Sequence, residues 1–236
     1  MSELVSYQLQ DSIATIAMDD GKANVLSLEM LNQINAALDR ASADGAVVVL
    51  TGREGIFSGG FDLRALGTGG ATAASMLTAG FELAERILSF PMPTIIACNG
   101  HAIAMGVFLL LSADYRIGAD GPFKITANEV AIGLTMPRAA VEICRQRLAP
   151  AHFNRAVILA EVYSPDDAVA AGFLDRVVAG SDLLSEARTI ATALSKLNMD
   201  AHTATKLRAR DHALTTIRTA IESDQAAFQA MAASAE

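Results

Sequence analysis

Polar and apolar residues alternate at the start of the chain, with the period of a half-buried strand. Val5, Tyr7 and Leu9 are separated by polar residues, and a second strand pattern runs over 13–18. Asp11-Ser12, between the two patterns, consists of residues that favour turns. We therefore predict a hairpin at the N-terminus.

Further along, the pattern takes the spacing of an amphipathic helix and then that of short, wholly apolar strands. Ser27 is a suitable N-cap, and apolar residues follow it at helical spacing as far as Ala41. Largely apolar runs at 47–51, 94–98 and 115–119 are typical of strands that are buried on both faces of a parallel sheet. A unit of strand, turn and helix thus recurs, and the predicted fold class is α/β.

Most of the remaining patterns are helical. The stretch 55–66 has no regular period and is predicted to be a loop, followed by a flexible glycine-rich turn at 67–70. A short strand is expected at 175–178. Helices are predicted at 73–90, 106–113, 137–148, 151–160 and 165–171, and from 181 onward. We accordingly divide the chain into an α/β core, 1–180, and a helical C-terminal extension, 181–236.

Composition narrows the function classes. With 52% hydrophobic and 19% charged residues, a chain of 236 residues can bury a large core. The net charge of −8 argues against a nucleic-acid partner, because phosphate binding needs clustered Lys and Arg. The two cysteines, Cys98 and Cys144, are too few for a disulfide framework or a zinc site.

The sequence indicates neither a targeting signal nor a membrane span. The N-terminal residues lack the basic and apolar regions of a signal peptide. The longest apolar stretch, Ala102 to Leu111, is too short to cross a bilayer. We expect a cytoplasmic protein with no membrane partner.

Two segments combine turns with small residues, which lets a ligand approach the backbone. The first, 56–63, contains Gly59 and Gly60, and glycine permits a tight turn. The second, 95–106, leads from a buried strand through a turn into the start of a helix. N–H groups at a helix start lack intrahelical partners and suit a developing oxyanion. Singly, such segments are also typical of a surface turn and of a strand-to-helix packing joint.

A third segment, 128–134, places Glu129 within an otherwise apolar run. Desolvation would raise the pKa of this carboxyl and make it a usable proton carrier near neutral pH. An exposed glutamate on a loop would give the same pattern.

Taken together and in order, these segments and two others resemble motifs of the crotonase superfamily, also called the enoyl-CoA hydratase/isomerase family. The resemblance extends from Val5 to Val178. The matching motifs are K-A-N-V-L-S at 22–27, F-S-G-G-F-D-L at 57–63, the run from Asn99 to Asp114, and A-A-G-F-L-D-R-V-V at 170–178. The resemblance implies a spiral of ββα units with a C-terminal helical extension that builds homotrimers or hexamers.

In this family, two backbone N–H groups hold the thioester oxygen of an acyl-CoA. The resemblance assigns these groups to Phe61 and Met105. Met105 stands where the family usually has Gly, so its side chain must point away or narrow an apolar acyl pocket. Substrate or CoA contacts are assigned to Lys22, Ala23, Asn24, Gly59, Gly60, Asp62, Leu63, Gly106 and Phe108.

Hydratases of the family carry two glutamates, and this chain retains one of them. The first position is Phe108, whereas the second is Glu129. Moving a double bond needs only one base, so we predict a Δ3,Δ2-enoyl-CoA isomerase with Glu129 as proton shuttle. CoA belongs to the substrate, and no cofactor or metal is expected. The alternatives are an enoyl-CoA hydratase and a catalytically weak acyl-CoA-binding subunit.

Four further polar residues are candidates for supporting roles. His101 and Asn128 could assist Glu129, although a histidine in a tight turn is commonly structural. Arg64 and Lys206 could reach the CoA phosphates, and a solvated surface cation is the competing interpretation for each.

Overall fold

The larger of two sheets forms the centre of the fold in a computed structural model that describes residues 3–233. Its strands are β1 (Val5–Gln10), β2 (Ile13–Met18), β3 (Val47–Thr51), β5 (Thr94–Cys98), β7 (Tyr115–Ala119) and β9 (Arg176–Val178). They lie in the order β1-β2-β3-β5-β7-β9. β1 and β2 form the predicted antiparallel hairpin, and every other neighbouring pair is parallel.

A second sheet consists of three short parallel strands. These are β4 (Gly55–Ser58), β6 (Gly100–Ile103) and β8 (Ile125–Thr126), in that order. A Cβ on Gly100 would overlap the backbone of Gly55 and Ile56. Glycine at position 100 is therefore required for β6 to lie so close to the start of β4.

Nine helices cover most of the remaining described residues. They are α1 (Leu28–Ala43), α2 (Leu63–Thr68), α3 (Gly70–Ser89), α4 (Met105–Ser112), α5 (Arg138–Arg145), α6 (Pro150–Val157), α7 (Pro165–Ala171), α8 (Leu183–Leu194) and α9 (Met199–Ala233). Short 3-10 helices occur at Val130–Ile132 and Gly180–Asp182. Within residues 3–233, no helix is long and apolar enough to span a membrane.

Consecutive strands alternate between the two sheets. β3, β5 and β7 belong to the larger sheet, and each is followed by a strand of the smaller one, respectively β4, β6 and β8. Helices follow each pair, so the chain winds as successive ββα units. The predicted α/β spiral is confirmed.

The structure corrects the prediction for residues 55–70. Gly55–Ser58 is a strand and Leu63–Thr68 a helix, where a loop was predicted, and Gly69 alone separates α2 from α3 in place of a flexible turn at 67–70. The Asp62 side chain caps α2 by accepting from the N–H of Arg64 at 2.9 Å. Elements of four to six residues are too short to establish a period, which explains the error.

The C-terminal extension is helical, and both of its helices pack on the core of the same chain. α8 buries Leu183, Ala187 and Ala191 against apolar residues of the larger sheet. α9 packs against α3 and α5, and its Leu214 and Ile217 join the main hydrophobic core. The predicted role of this extension in assembly remains a prediction, and residues 1–2 and 234–236 lie outside the described residues.

Lys206 was a candidate for a contact with a CoA phosphate. It lies on α9, and its side chain is buried against the rest of the fold. Its Nζ donates to Phe90 O at 2.8 Å, to Met92 O at 3.0 Å and to Asp114 Oδ2 at 2.6 Å. Arg210 contacts the other oxygen of Asp114 at 3.0 Å. Neither the phosphate contact nor the solvated surface cation proposed for Lys206 is correct, because its three ammonium protons join α9 to the residues after α3 and to Asp114.

Lys206→Met should therefore destabilise the fold. The methionine keeps the apolar stem but leaves two buried carbonyls without a donor, and we expect a loss of about 3 kcal/mol of unfolding free energy. Chemical denaturation at matched protein concentration measures this loss. Lys196→Met, at an exposed position, is the control and should change stability by no more than about 0.5 kcal/mol. Equal stability of the two variants would contradict the structural role of Lys206.

Candidate active site

Two backbone turns meet at the ends of β4 and β6. Gly60 has a φ of +90°, and a Cβ there would lie 2.9 Å from Ala104 Cβ and 3.4 Å from Met105 N. Ala104 itself has a φ of +52°, which is unfavourable for a residue with a side chain. Residue 60 must therefore be glycine, and the turn at residue 104 is held under strain.

The N–H groups that follow these turns are unpaired. Among residues 3–233, no group of the chain accepts a hydrogen bond from Phe61 N or Met105 N. Met105 is the first residue of α4, so its N–H has no intrahelical acceptor and lies at the positive end of the helix dipole. The two predicted donors are thus brought to neighbouring turns, and both are free to bind an oxyanion.

Glu129 is a buried carboxylate that begins the 3-10 helix at 130–132. Its side chain is 7% exposed, and its Oε2 has no hydrogen-bond partner among the described residues. Burial raises the pKa of Glu129 from 4.5 to about 7, and a bond from its own backbone N–H opposes the shift. The desolvation expected from the apolar sequence around this residue is present, and the carboxyl can exchange protons near neutral pH.

The small sheet connects Glu129 to the donor turn. The Ala104 N–H donates to Thr126 O at 3.0 Å, so the turn before Met105 is bonded to a residue three positions before Glu129. Cys144 of α5 is also close to Glu129, since burial and, secondarily, the negative charge of Glu129 raise the pKa of its thiol. The segment that carries Glu129 is therefore bonded, through β8, to the turn before Met105.

The side chains of both donor residues extend toward α3. A Cβ on Gly80 would lie 2.5 Å from Phe61 Cζ and 3.5 Å from Met105 Sδ. Phe81 of the same helix has its ring centroid 6.0 Å from that of Phe61 and 6.1 Å from that of Phe108. The Met105 side chain thus joins an apolar cluster inside the fold.

The structure gives the other predicted contact residues different surroundings. Lys22, Leu63 and Arg64 are exposed, with Leu63 at 65%. Ala23 O accepts from the Gly59 N–H at 2.8 Å, which ties the first motif to the donor loop. Gly106 is required by a close contact, since a Cβ there would lie 2.7 Å from Ser58 O.

Asn24 was predicted to contact CoA, but its side chain is fully buried within the protein. Its amide donates to Met18 O, Ile56 O and Phe57 O, and its Oδ1 accepts from the Asp20 N–H at 3.0 Å. The side chain is therefore structural, and any contact with a ligand would have to come from the backbone.

His101 and Asn128, the two residues expected to assist Glu129, have different hydrogen-bonding environments. His101 Nδ1 accepts from the Lys124 N–H at 2.9 Å and its ring packs on Phe123, so this histidine is structural. Asn128 Oδ1 is buried with no hydrogen-bond partner in the described part of the chain, and the same holds for Thr126 Oγ1 two residues earlier. Buried polar atoms are rarely left unpaired, and a bound ligand or water commonly completes them.

Sequence reasoning did not identify four residues near the site: Gly80, Phe81, Thr126 and Cys144. Gly80 could have been noticed, because a glycine within a helical pattern usually has a packing or functional reason. The other three carry no local signal. In the part of the chain that the structure describes, no group of three or more His, Cys, Asp or Glu could hold a metal ion.

A family model described as enoyl-CoA hydratase/isomerase matches residues 8–236 of the chain. The chain belongs to this family. The resemblance first seen in the motifs is therefore confirmed, and the chemistry common to the family concerns acyl-CoA thioesters.

Solved structures of similar proteins share the fold. An enoyl-CoA hydratase/isomerase family protein from Pseudomonas syringae is 50% identical, with a TM-score of 0.93 over 94% of this chain and 96% of that one. An enoyl-CoA isomerase from Mycobacterium tuberculosis is 48% identical, with a TM-score of 0.92 over 96% and 99%. The same mycobacterial protein is described elsewhere as a probable enoyl-CoA hydratase. The names of similar structures therefore do not separate the two activities.

Mouse mitochondrial enoyl-CoA delta isomerase 1 is also similar, with 31% identity over 194 residues that cover 80% of this chain and 67% of the mouse protein.

Glu129→Gln should alter the pH dependence of stability. The folded protein holds the Glu129 proton more tightly than the unfolded chain, so the wild type loses stability as the pH rises from 4.5 to about 7. Glutamine does not titrate, so the variant should be the more stable protein at about pH 8, by about 3 kcal/mol, with little difference at about pH 4. Denaturant unfolding at both pH values measures the difference. A variant less stable than the wild type at the higher pH would contradict the assignment.

Proposed function

We propose that this chain is a Δ3,Δ2-enoyl-CoA isomerase that works through a thioester enolate. The observation that carries the proposal is the pairing of one buried carboxylate, Glu129, with an apolar residue, Phe108, at the position of the other hydratase glutamate. Phe108 is 1% exposed and packs against Phe81. It supplies no group that could orient a water molecule.

In the proposed reaction, the thioester oxygen accepts hydrogen bonds from Phe61 N and Met105 N. Glu129 removes a proton from C2, and the electron pair is delocalised onto the oxygen as an enolate. The same carboxyl returns the proton at C4, and the double bond shifts from C3–C4 to C2–C3. Two preorganised donors suit this step, since removing one such donor typically costs about 3–4 kcal/mol of transition-state stabilisation.

The pKa of Glu129 supports this shuttle. A group with a pKa of about 7 accepts and releases a proton with similar ease near neutral pH. The unpaired Oε2 leaves one carboxyl oxygen free for substrate.

The proposal includes the assembly and the setting of the enzyme. The exposed side chains of Lys22 and Arg64 are available for the CoA phosphates. We further propose a homotrimer or hexamer in the cytoplasm, as the family resemblance implies.

Glu129→Gln should abolish isomerisation, with kcat falling by at least about a thousandfold, because no other group is proposed to carry the proton. The test follows the conjugated-thioester absorbance when purified protein meets a 3-enoyl-CoA. Glu142→Gln, on α5 beside Arg145, is the matched control and should retain activity. Near-wild-type turnover by Glu129→Gln would overturn the mechanism.

The substrate separates the proposed isomerase from its alternatives. Absorbance should rise with a 3-enoyl-CoA, and it should stay constant with a 2-enoyl-CoA. A fall with the 2-enoyl-CoA would instead establish a hydratase. Binding of acyl-CoA without either change would establish a binding subunit.

The pH profile should report the same carboxyl. The base must be ionised to accept the C2 proton, so kcat/KM should rise with pH through a single transition near 7. Steady-state kinetics across the neutral range measures this profile. A kcat/KM that is flat through this range, or that falls as the pH rises, would contradict the role of Glu129.

A further inference from the structure

The apolar cluster beside the donors forms a closed wall. Met105 is 0% exposed, Phe81 and Phe108 are 1% exposed, and Phe61 is 9% exposed. Met105 and Phe108 lie one turn apart on α4 and so share a face of that helix. We use the name acyl wall for these four residues together with Gly80.

Gly80 makes the wall tight. The Phe61 ring occupies the space that any side chain at position 80 would need, and Met105 Sδ lies at the edge of the same space. A glycine within a helix is unfavourable, but at position 80 of α3 it leaves room for the side chains of Phe61 and Met105. α3 therefore packs directly against the side chains of both proposed donor residues.

The proposed function places the acyl group against this wall. If the thioester oxygen lies between Phe61 N and Met105 N, the CoA half of the substrate must leave toward solvent. The carbons beyond C2 then start beside the side chains of the same two residues. Phe108, at the position of a glutamate that serves the reacting double bond in hydratases, borders the same carbons.

We propose that the acyl wall restricts the enzyme to short, straight-chain enoyl-CoA substrates, with Met105 and Phe81 setting the limit. This inference rests on the proposed function. Protein interiors are close-packed, with few voids larger than a water molecule. Each methylene beyond the space available must displace a buried side chain, which is unfavourable. A long acyl chain is therefore discriminated against by the residues that also supply or flank the oxyanion donors.

Binding of saturated acyl-CoAs tests the limit independently of turnover. Isothermal titration calorimetry of the full-length protein with hexanoyl-CoA and decanoyl-CoA should give at least about tenfold weaker binding of the longer chain. Values of kcat/KM for the corresponding 3-enoyl-CoAs should follow the same order. Equal or tighter binding of decanoyl-CoA by the wild type would overturn the inference.

Two variants test which residues set the limit. Met105→Ala removes the thioether while keeping the backbone N–H, and Phe81→Leu opens the wall from α3. Each should raise the decanoyl-to-hexanoyl affinity ratio by at least about fivefold. Met30→Ala removes the same atoms from an equally buried site in α1 and should leave the ratio unchanged. A ratio unaffected by both wall variants would refute the assignment, and Phe81→Leu carries the test if Met105→Ala does not fold.

The outcomes separate this inference from the proposed function. If the protein prefers hexanoyl-CoA but isomerises no substrate, the chain-length limit is supported and the isomerase function is contradicted. If it isomerises both chain lengths equally, the isomerase function is supported and the chain-length limit is contradicted. If it binds no acyl-CoA, both are contradicted.

Discussion

The close approach of two backbone turns is the constraint on which the candidate site depends. Gly60 follows β4 and Ala104 follows β6, and these strands are direct neighbours in the small parallel sheet. Parallel strands end on the same side, so the turns after them meet. The next N–H groups, at Phe61 and Met105, have no acceptor among residues 3–233. The proposed oxyanion site would thus be fixed by backbone geometry, which is what electrostatic preorganisation requires.

This arrangement lowers stability at several points, and the rest of the fold must offset it. Ala104 holds a φ of +52°, a conformation that typically costs about 1–3 kcal/mol in a residue other than glycine. Glu129 is buried with an unpartnered oxygen. Two features stabilise the rest of the fold. One is the larger sheet, which α8 covers on one face. The other is the ion-pair cluster that Lys206 and Arg210 of α9 form with Asp114. The charged residue expected at the ligand therefore belongs to the supporting structure.

Whether an element could be predicted from the sequence depended on how many residues its hydrophobic pattern covers. Apolar runs of five residues identified the buried strands β3, β5 and β7, and helical spacing identified the long helices. The small sheet was missed because β4 and β6 have four residues each and β8 has two, Ile125–Thr126. The roles of Phe61, Met105 and Glu129 were predicted from motifs, and they remain predictions. Gly80 had a local signal as a glycine within a helical pattern, but its partners, Phe61 and Met105, are distant in the sequence, and a contact across the fold leaves no pattern that identifies them.

The first four residues of α4 link the chemistry to the choice of substrate. In the proposed mechanism Met105 supplies a donor through its backbone, while its side chain packs beside Gly80. Phe108, one turn later, occupies the position of a hydratase carboxylate and completes the same apolar surface. A second glutamate at position 108 would need a polar partner where Phe81 now packs, because an unpaired charge among these rings would be strongly disfavoured. In the proposed enzyme, loss of the water-orienting group and narrowing of the acyl site are therefore consequences of the same packing.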